Sequence, residues 1–172
     1  MSYLPFRDQK SFMNYFRQSP SAETASLYKK LCDEEFGELQ EAWNNHVAAP
    51  SDETVAEIAD ACIDLIYVAA GLMHGLNLDP QPLWDEVHRS NIDKIKHPCV
   101  TCLCTGSVQN DLSSAETFGI LVTEQCPDCK GQGFVYEVRR REDGKVLKPL
   151  NWNPPALLPI VQLLLSAPKA GE

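Results

Sequence analysis

Residues 33–43, DEEFGELQEAW, place five carboxylates within nine positions (Asp33, Glu34, Glu35, Glu38 and Glu41), with no lysine or arginine among them. Like charges one helical turn apart oppose each other by roughly 0.2–0.5 kcal/mol per pair. Such crowding is tolerable on a solvated helix face or around a bound cation. A second acidic set follows at Glu57, Asp60 and Asp64, in and beside the apolar run IADACIDLIYVAAGLM. Positions i, i+3 and i+7 share one face of a helix, and charges buried among apolar side chains are normally paired or bound to metal. If the two helices pack antiparallel, Glu35 and Glu38 can face Glu57 and Asp60. Four or five converging oxygen donors suit Mg²⁺ or Mn²⁺, with positions left for water and substrate phosphates. The first acidic run alone reads more readily as a solvated face, and Glu57 and Asp60, set in an apolar helix, less so; ExxE followed by ExxD shifts the reading to metal.

A different chemistry is written between His97 and Phe134. CVTCLCTG (99–106) and CPDCKGQGF (126–134) repeat Cys-x-x-Cys, the ligand spacing of a tetrahedral zinc site. Cys99, Cys102, Cys126 and Cys129 are the expected ligands. Cys104 is the spare, able to replace Cys102 if the first turn forms differently. Four thiolates leave no open coordination position, so such a zinc is structural rather than catalytic. A thioredoxin-like redox pair would need a βαβ context that the sequence lacks. Cys32 and Cys62, inside helical patterns, read as core packing.

The elements that must position these groups follow from the pattern of apolar residues and breaks. Residues 8–18 read as a short helix with Phe12, Tyr15 and Phe16 on one side. These three aromatics and Trp43 read as core, with base stacking as the alternative. Ser19-Pro20-Ser21 stops that helix and caps the next, a long helix over about 21–45. Ser51, followed by Asp52 and Glu53, opens another over about 52–74, ended by Gly75. It is apolar almost all round, which implies burial in a bundle or against a second copy. Asp79-Pro80 opens a further helix through LWDEVHRSNIDKI. After the cysteine segment, Asp143-Gly144 marks a hairpin turn, and NWNPPALLPIVQLLL reads as a piece that packs on the bundle or on a neighbouring subunit. The expected fold is an all-α helical bundle with a small inserted zinc ribbon, divided into a helical core (1–96), the insert (97–135) and a C-terminal tail (136–172).

Bulk properties narrow the function classes. At 172 residues and 44% hydrophobic, the chain suits one domain with a small insertion. Its net charge of −9 argues against binding to a nucleic-acid backbone, which needs a basic surface, and the insert's spacer is acidic. No apolar run reaches the ~20 residues of a membrane span. The N-terminus MSYLPFRDQK lacks the apolar centre of an export signal, which points to the cytoplasm.

Glu35-Phe-Gly-Glu38 followed by Glu57-Ile-Ala-Asp60 resembles the ExxE…ExxD pattern of the all-α nucleoside triphosphate pyrophosphohydrolases. That superfamily includes the MazG proteins, the phosphoribosyl-ATP pyrophosphohydrolases and the dimeric dUTPases. EVHRSNIDKI (86–95) is similar to the segment that follows in phage and bacterial MazG-like members, and REDGKVLKPLNWNPPAL (141–157) resembles their C-terminal tail. The resemblance implies a metal-dependent bundle, assembled as a homodimer or homotetramer, that cuts between the α and β phosphates of a nucleotide. It implies that Glu35, Glu38, Glu57 and Asp60 hold metal and that Glu34 is an accompanying acid. Asn91 and Lys94 match a polar pair near the nucleotide. Glu35 or Glu34 is then the candidate to take a proton from the attacking water. Similarity to a phage-type group suggests a purine deoxynucleotide, dGTP first, and a cytoplasmic setting, the host's if the chain is phage-encoded. The alternatives are a phosphoribosyl-ATP pyrophosphohydrolase and a non-catalytic zinc-ribbon adaptor on a helical bundle. The cysteine pairs interrupt the family pattern; CPDCKGQGF is similar to the CxxCxGxG knuckles of the DnaJ cysteine-rich domain.

Overall fold

The computed structural model describes residues 4–111, 121–149 and 151–166. It is mostly helical, with a four-cysteine cluster in a small sheet region. The chain divides into two compact units, Met1–Asp85 with Ala156–Glu172, and Glu86–Pro155.

In the first unit, α1 (Leu4–Tyr15), α2 (Ala22–Ala48) and α3 (Asp52–Gly75) make the core. Ser21 caps α2, its hydroxyl accepting from Thr24 N at 3.1 Å. Ser51 and Thr54 form a reciprocal capping box on α3. α1 begins and ends earlier than its sequence pattern predicts. Arg17 turns into the left-handed region (φ 55°), with Arg17 N donating to Asn14 O and Gln18 N to Met13 O at 2.9 Å. This is a Schellman ending, with a non-glycine residue at the left-handed position.

The same motif closes α3 at Asn77 (φ 60°), where Leu78 N donates to Met73 O at 2.9 Å. Gly75 is therefore not the terminator. It allows close approach instead: a Cβ there would lie 3.0 Å from the Ala25 backbone, and its carbonyl accepts from Ser21 N at 3.1 Å.

The buried stripe of α1 is Phe6, Gln9 and Met13, one residue in every three or four. Met13 packs with Tyr28 of α2 and Val68 of α3. The aromatics expected in the core fall off that stripe. Phe12, Tyr15 and Phe16 are all exposed, Tyr15 at 86%, and Phe12 meets Tyr67 edge-on with ring centroids 5.7 Å apart. Trp43, also read as core, is 57% exposed. α3 is likewise only half covered within one chain, leaving Val55, Ile63 and Ile66 open. α5 (Leu157–Ser166) belongs to this unit and buries none of its residues.

α4 (Pro80–Ile92) crosses from the first unit into the second. It stops short of the predicted Ile95 because the chain turns there into β1 (Lys96–Pro98). β1 pairs antiparallel with β4 (Phe134–Tyr136), His97 opposite Val135. Between them, β2 (Ser107–Asp111) and β3 (Leu121–Gln125) form a second antiparallel pair, Gln109 opposite Thr123. The predicted hairpin is present: Arg140 bridges Val146, and Gly144 supplies the left-handed turn position (φ 81°). Beyond it the chain returns to the C-terminal half of α4, where Trp152 Nε1 donates to Ser90 O at 2.7 Å and Ser90 Oγ donates to Asn153 O at 3.1 Å.

Candidate active site

α2 and α3 run antiparallel. Ser21 N–H reaches Gly75 O at one end of the pair, and at the other His46 Nδ1 lies 2.8 Å from Thr54 Oγ1. With both ends fixed, the acidic turns of the two helices come level. Glu38, Glu41 and Asn45 from α2 and Glu57 and Asp60 from α3 line a cleft of about 450 Å³ floored by Ala42 and Ala61. Both alanines are buried; side chains this small let the helices approach while the carboxylates flank the seam.

Glu35 stands one turn beyond. Its partial burial pushes its carboxyl above the ordinary value, and the charges of Glu38, Asp64, Glu34 and Asp60 push the same way. Glu34 itself is exposed and does not line the cleft.

Residues 31–85 contain twelve Asp and Glu and no Lys or Arg. Lys29 pairs with Asp33 at 2.5 Å, which draws the first acid of the run out to the surface. The nine Lys and Arg of residues 86–155 match nine Asp and Glu, so the net −9 of the chain resides in the helical unit. Glu38, Glu41, Glu57 and Asp60 present oxygen donors of the kind hard divalent cations prefer, although among the described residues only the four cysteines of the second unit already lie close enough together to hold a metal ion.

Glu41 and Asn45 also line the cleft and were not assigned to it from the sequence. Their signal was available, because Glu38, Glu41 and Asn45 recur at i, i+3 and i+7. Asn91 and Lys94 lie in the second unit, where Lys94 Nζ donates to Asn91 Oδ1 at 2.6 Å and stands 5.9 Å from the Trp152 ring centre.

The same helix pair carries a second, apolar cleft of about 620 Å³ lined by Phe36, Leu39, Trp43, Ile58 and Cys62 among others. Cys32 and Cys62 are both partly buried.

In the second unit, the sulfurs of Cys99, Cys102, Cys126 and Cys129 all lie within 4.8 Å of one another. Cys99 Sγ is 3.7 Å from Cys126 Sγ, and Cys102 Sγ is 3.5 Å from Cys129 Sγ. All four are buried, whereas Cys104 is exposed and outside the group. The cluster could bind zinc.

Residues 10–91 match the model of the phosphoribosyl-ATP pyrophosphohydrolase family. The matched segment runs from within α1 almost to the end of α4, contains every residue of the acidic cleft, and stops before the cysteines. It supports pyrophosphohydrolase activity in general, in a metal-dependent family. No curated protein matches the chain.

Proposed function

From the match of residues 10–91 to that family, we propose that the protein is a divalent-cation-dependent nucleoside triphosphate pyrophosphohydrolase. It cleaves between the α and β phosphates and releases a nucleoside monophosphate and pyrophosphate. One observation carries the reading: Glu38, Glu57 and Asp60 share one cleft, with Glu35 one turn along α2 from Glu38, in a 31–85 segment that has no lysine or arginine.

Mg²⁺ or Mn²⁺ bound there would neutralise phosphate charge and acidify the attacking water. Glu38, Glu57, Asp60 and Glu35 are the residues that would hold it. Glu35 is the candidate to take the proton from water, with Glu34 next to it as the alternative base. Asn45 adds a neutral donor at the edge of the cleft, able to hydrogen-bond a phosphate oxygen without adding charge. Asn91 and Lys94 are assigned to nucleotide contact on the resemblance of their segment, and the bond between them holds the ammonium in place.

For the substrate we favour a purine deoxynucleotide, dGTP first, on the resemblance to the phage-type group. A second reading, hydrolysis of phosphoribosyl-ATP, has the family match in its favour. The exposed Phe36, Trp43 and Ile63 on α2 and α3 support assembly as a homodimer or homotetramer through the apolar face. Among the described residues, no helix is long and apolar enough to cross a membrane, and a cytoplasmic setting is part of the proposal.

The test is incubation of purified protein with each NTP and dNTP and with phosphoribosyl-ATP, in Mg²⁺ or Mn²⁺, with products separated by ion exchange. Monophosphate plus pyrophosphate, strongest from dGTP, supports the first reading. Turnover confined to phosphoribosyl-ATP selects the second, and turnover of none removes the enzymatic reading.

A further inference from the structure

The cysteine module repeats one backbone pattern twice. In the first knuckle, Cys99-x-x-Cys102 leads to Gly106, whose N–H donates to Cys102 Sγ at 3.3 Å. In the second, Cys126-x-x-Cys129 leads to Gly133, whose N–H donates to Cys129 Sγ at 3.2 Å. Each knuckle then fastens the other: Cys126 N donates to Gly106 O at 2.9 Å, and Cys99 N donates to Gly133 O at 3.1 Å. The two glycines are required by contact as well as by φ (79° and 76°). A Cβ on Gly106 would meet Gly131 O at 2.3 Å, and one on Gly133 would meet Cys104 O at 2.4 Å.

What fills the centre of this reciprocal arrangement is sulfur. Among the described residues, the buried cluster here consists of the four cysteines, with Val108 and Val135 packed partly against it. Two antiparallel pairs built from strands of three and five residues are short for a unit that stands on its own. Bonds of about 2.3 Å from a tetrahedral ion set neighbouring thiolates about 3.8 Å apart, close to the 3.7 and 3.5 Å found across the two knuckles. Sulfurs joined in pairs as disulfides would instead lie about 2.0 Å apart.

We propose that Cys99, Cys102, Cys126 and Cys129 hold one zinc ion as a closed tetrathiolate, and that this ion is the structural core around which residues 96–111 and 121–136 fold. Its binding displaces the thiol protons to solvent, and Gly106 N–H and Gly133 N–H donate to two of the resulting thiolates. The ion also closes the insertion at its base. The chain leaves at Ile95 and returns at Glu137, whose N–H donates to Ile95 O at 2.8 Å, so the staple delivers residues 137–153 back beside the point of departure. This assignment is independent of the acidic cleft and of the reaction proposed for it.

The experiment uses the full-length protein purified without chelator. Elemental analysis should find one zinc per chain, and an organomercurial should release it as the thiols are titrated. Cys104→Ser should keep the full equivalent, and Cys126→Ser should lose at least tenfold of the bound zinc. Should Cys126→Ser fail to fold, Co²⁺ exchange into the unaltered protein decides the matter, since a tetrathiolate gives intense visible absorption that two- or three-sulfur sites do not match. Purified protein free of zinc with all seven thiols titratable, protein with Cys99–Cys126 and Cys102–Cys129 oxidised, or zinc lost equally in Cys104→Ser would each overturn the assignment.

Discussion

His46 Nδ1 and Thr54 Oγ1 meet at 2.8 Å, joining the last turn of α2 to the first turn of α3. Thr54 is also the far half of the Ser51 capping box, its hydroxyl accepting from Ser51 N at 3.0 Å. One side chain thus starts α3 and fixes the register that brings Glu38 level with Asp60.

Thr54→Val keeps the shape of the side chain and removes both roles. The loss of a cap and of a partly buried hydrogen bond should destabilise the protein by about 1–2 kcal/mol. Urea denaturation in the absence of divalent ions checks this. An unchanged midpoint would mean that the register is held by packing alone.

Gly71 faces Tyr28 and Gln9 with no room to spare: an added Cβ would lie 2.2 Å from Tyr28 Cε1 and 2.6 Å from Gln9 Nε2. Gly71→Ala gains helix propensity yet overpacks the meeting point of α1, α2 and α3. The expected net effect is destabilisation of about 1–3 kcal/mol, read as a lower melting temperature. A rise in Tm would show that Tyr28 can swing away at little cost.

His74 is buried, with Nε2 3.1 Å from Phe6 O. Burial lowers its pKa from the usual 6.5, with the Phe6 carbonyl acting in the opposite direction. The folded state therefore binds this proton less readily than the unfolded chain. Stability from this group is fully present above about pH 6.5 and is lost as pH falls toward the folded pKa, at up to about 1.4 kcal/mol per pH unit. Denaturation midpoints measured from pH 7.5 down to 5 should show the decline, and His74→Gln should flatten it. An identical decline in that variant would assign the effect to other groups.

Much of this was legible because it depends on short-range rules. Ser21 and Ser51 as caps, the break at Pro50 and the ExxE…ExxD spacing are local, and the helices at Ala22–Ala48 and Asp52–Gly75 follow from them. What was illegible depends on tertiary contact. Gly75 reads as a terminator because glycine commonly ends helices, yet Asn77 takes that role and Gly75 serves the approach of Ala25. Phe12, Tyr15 and Phe16 read as a core face by hydropathy, but the packed stripe includes a polar residue, Gln9, which composition ranks outside. Trp43 reads as core, yet it is 57% exposed on the border of an apolar cleft, with the His46 ring 6.3 Å away between centroids. Glu41 and Asn45 needed the antiparallel register before their part in the cleft was visible.

The central claim is that Glu38 and Asp60 jointly hold a catalytic divalent cation. It is tested most directly by measuring nucleotide turnover and the Mg²⁺-induced rise in melting temperature on Glu38→Gln and Asp60→Asn. Each variant should fold, with a metal-free Tm equal to or above that of the parent because a crowded charge is gone. Each should lose both the Mg²⁺-induced rise and at least a hundredfold in turnover. Near-parental turnover with the Mg²⁺ response intact in either variant would contradict the claim and remove that carboxylate from the site.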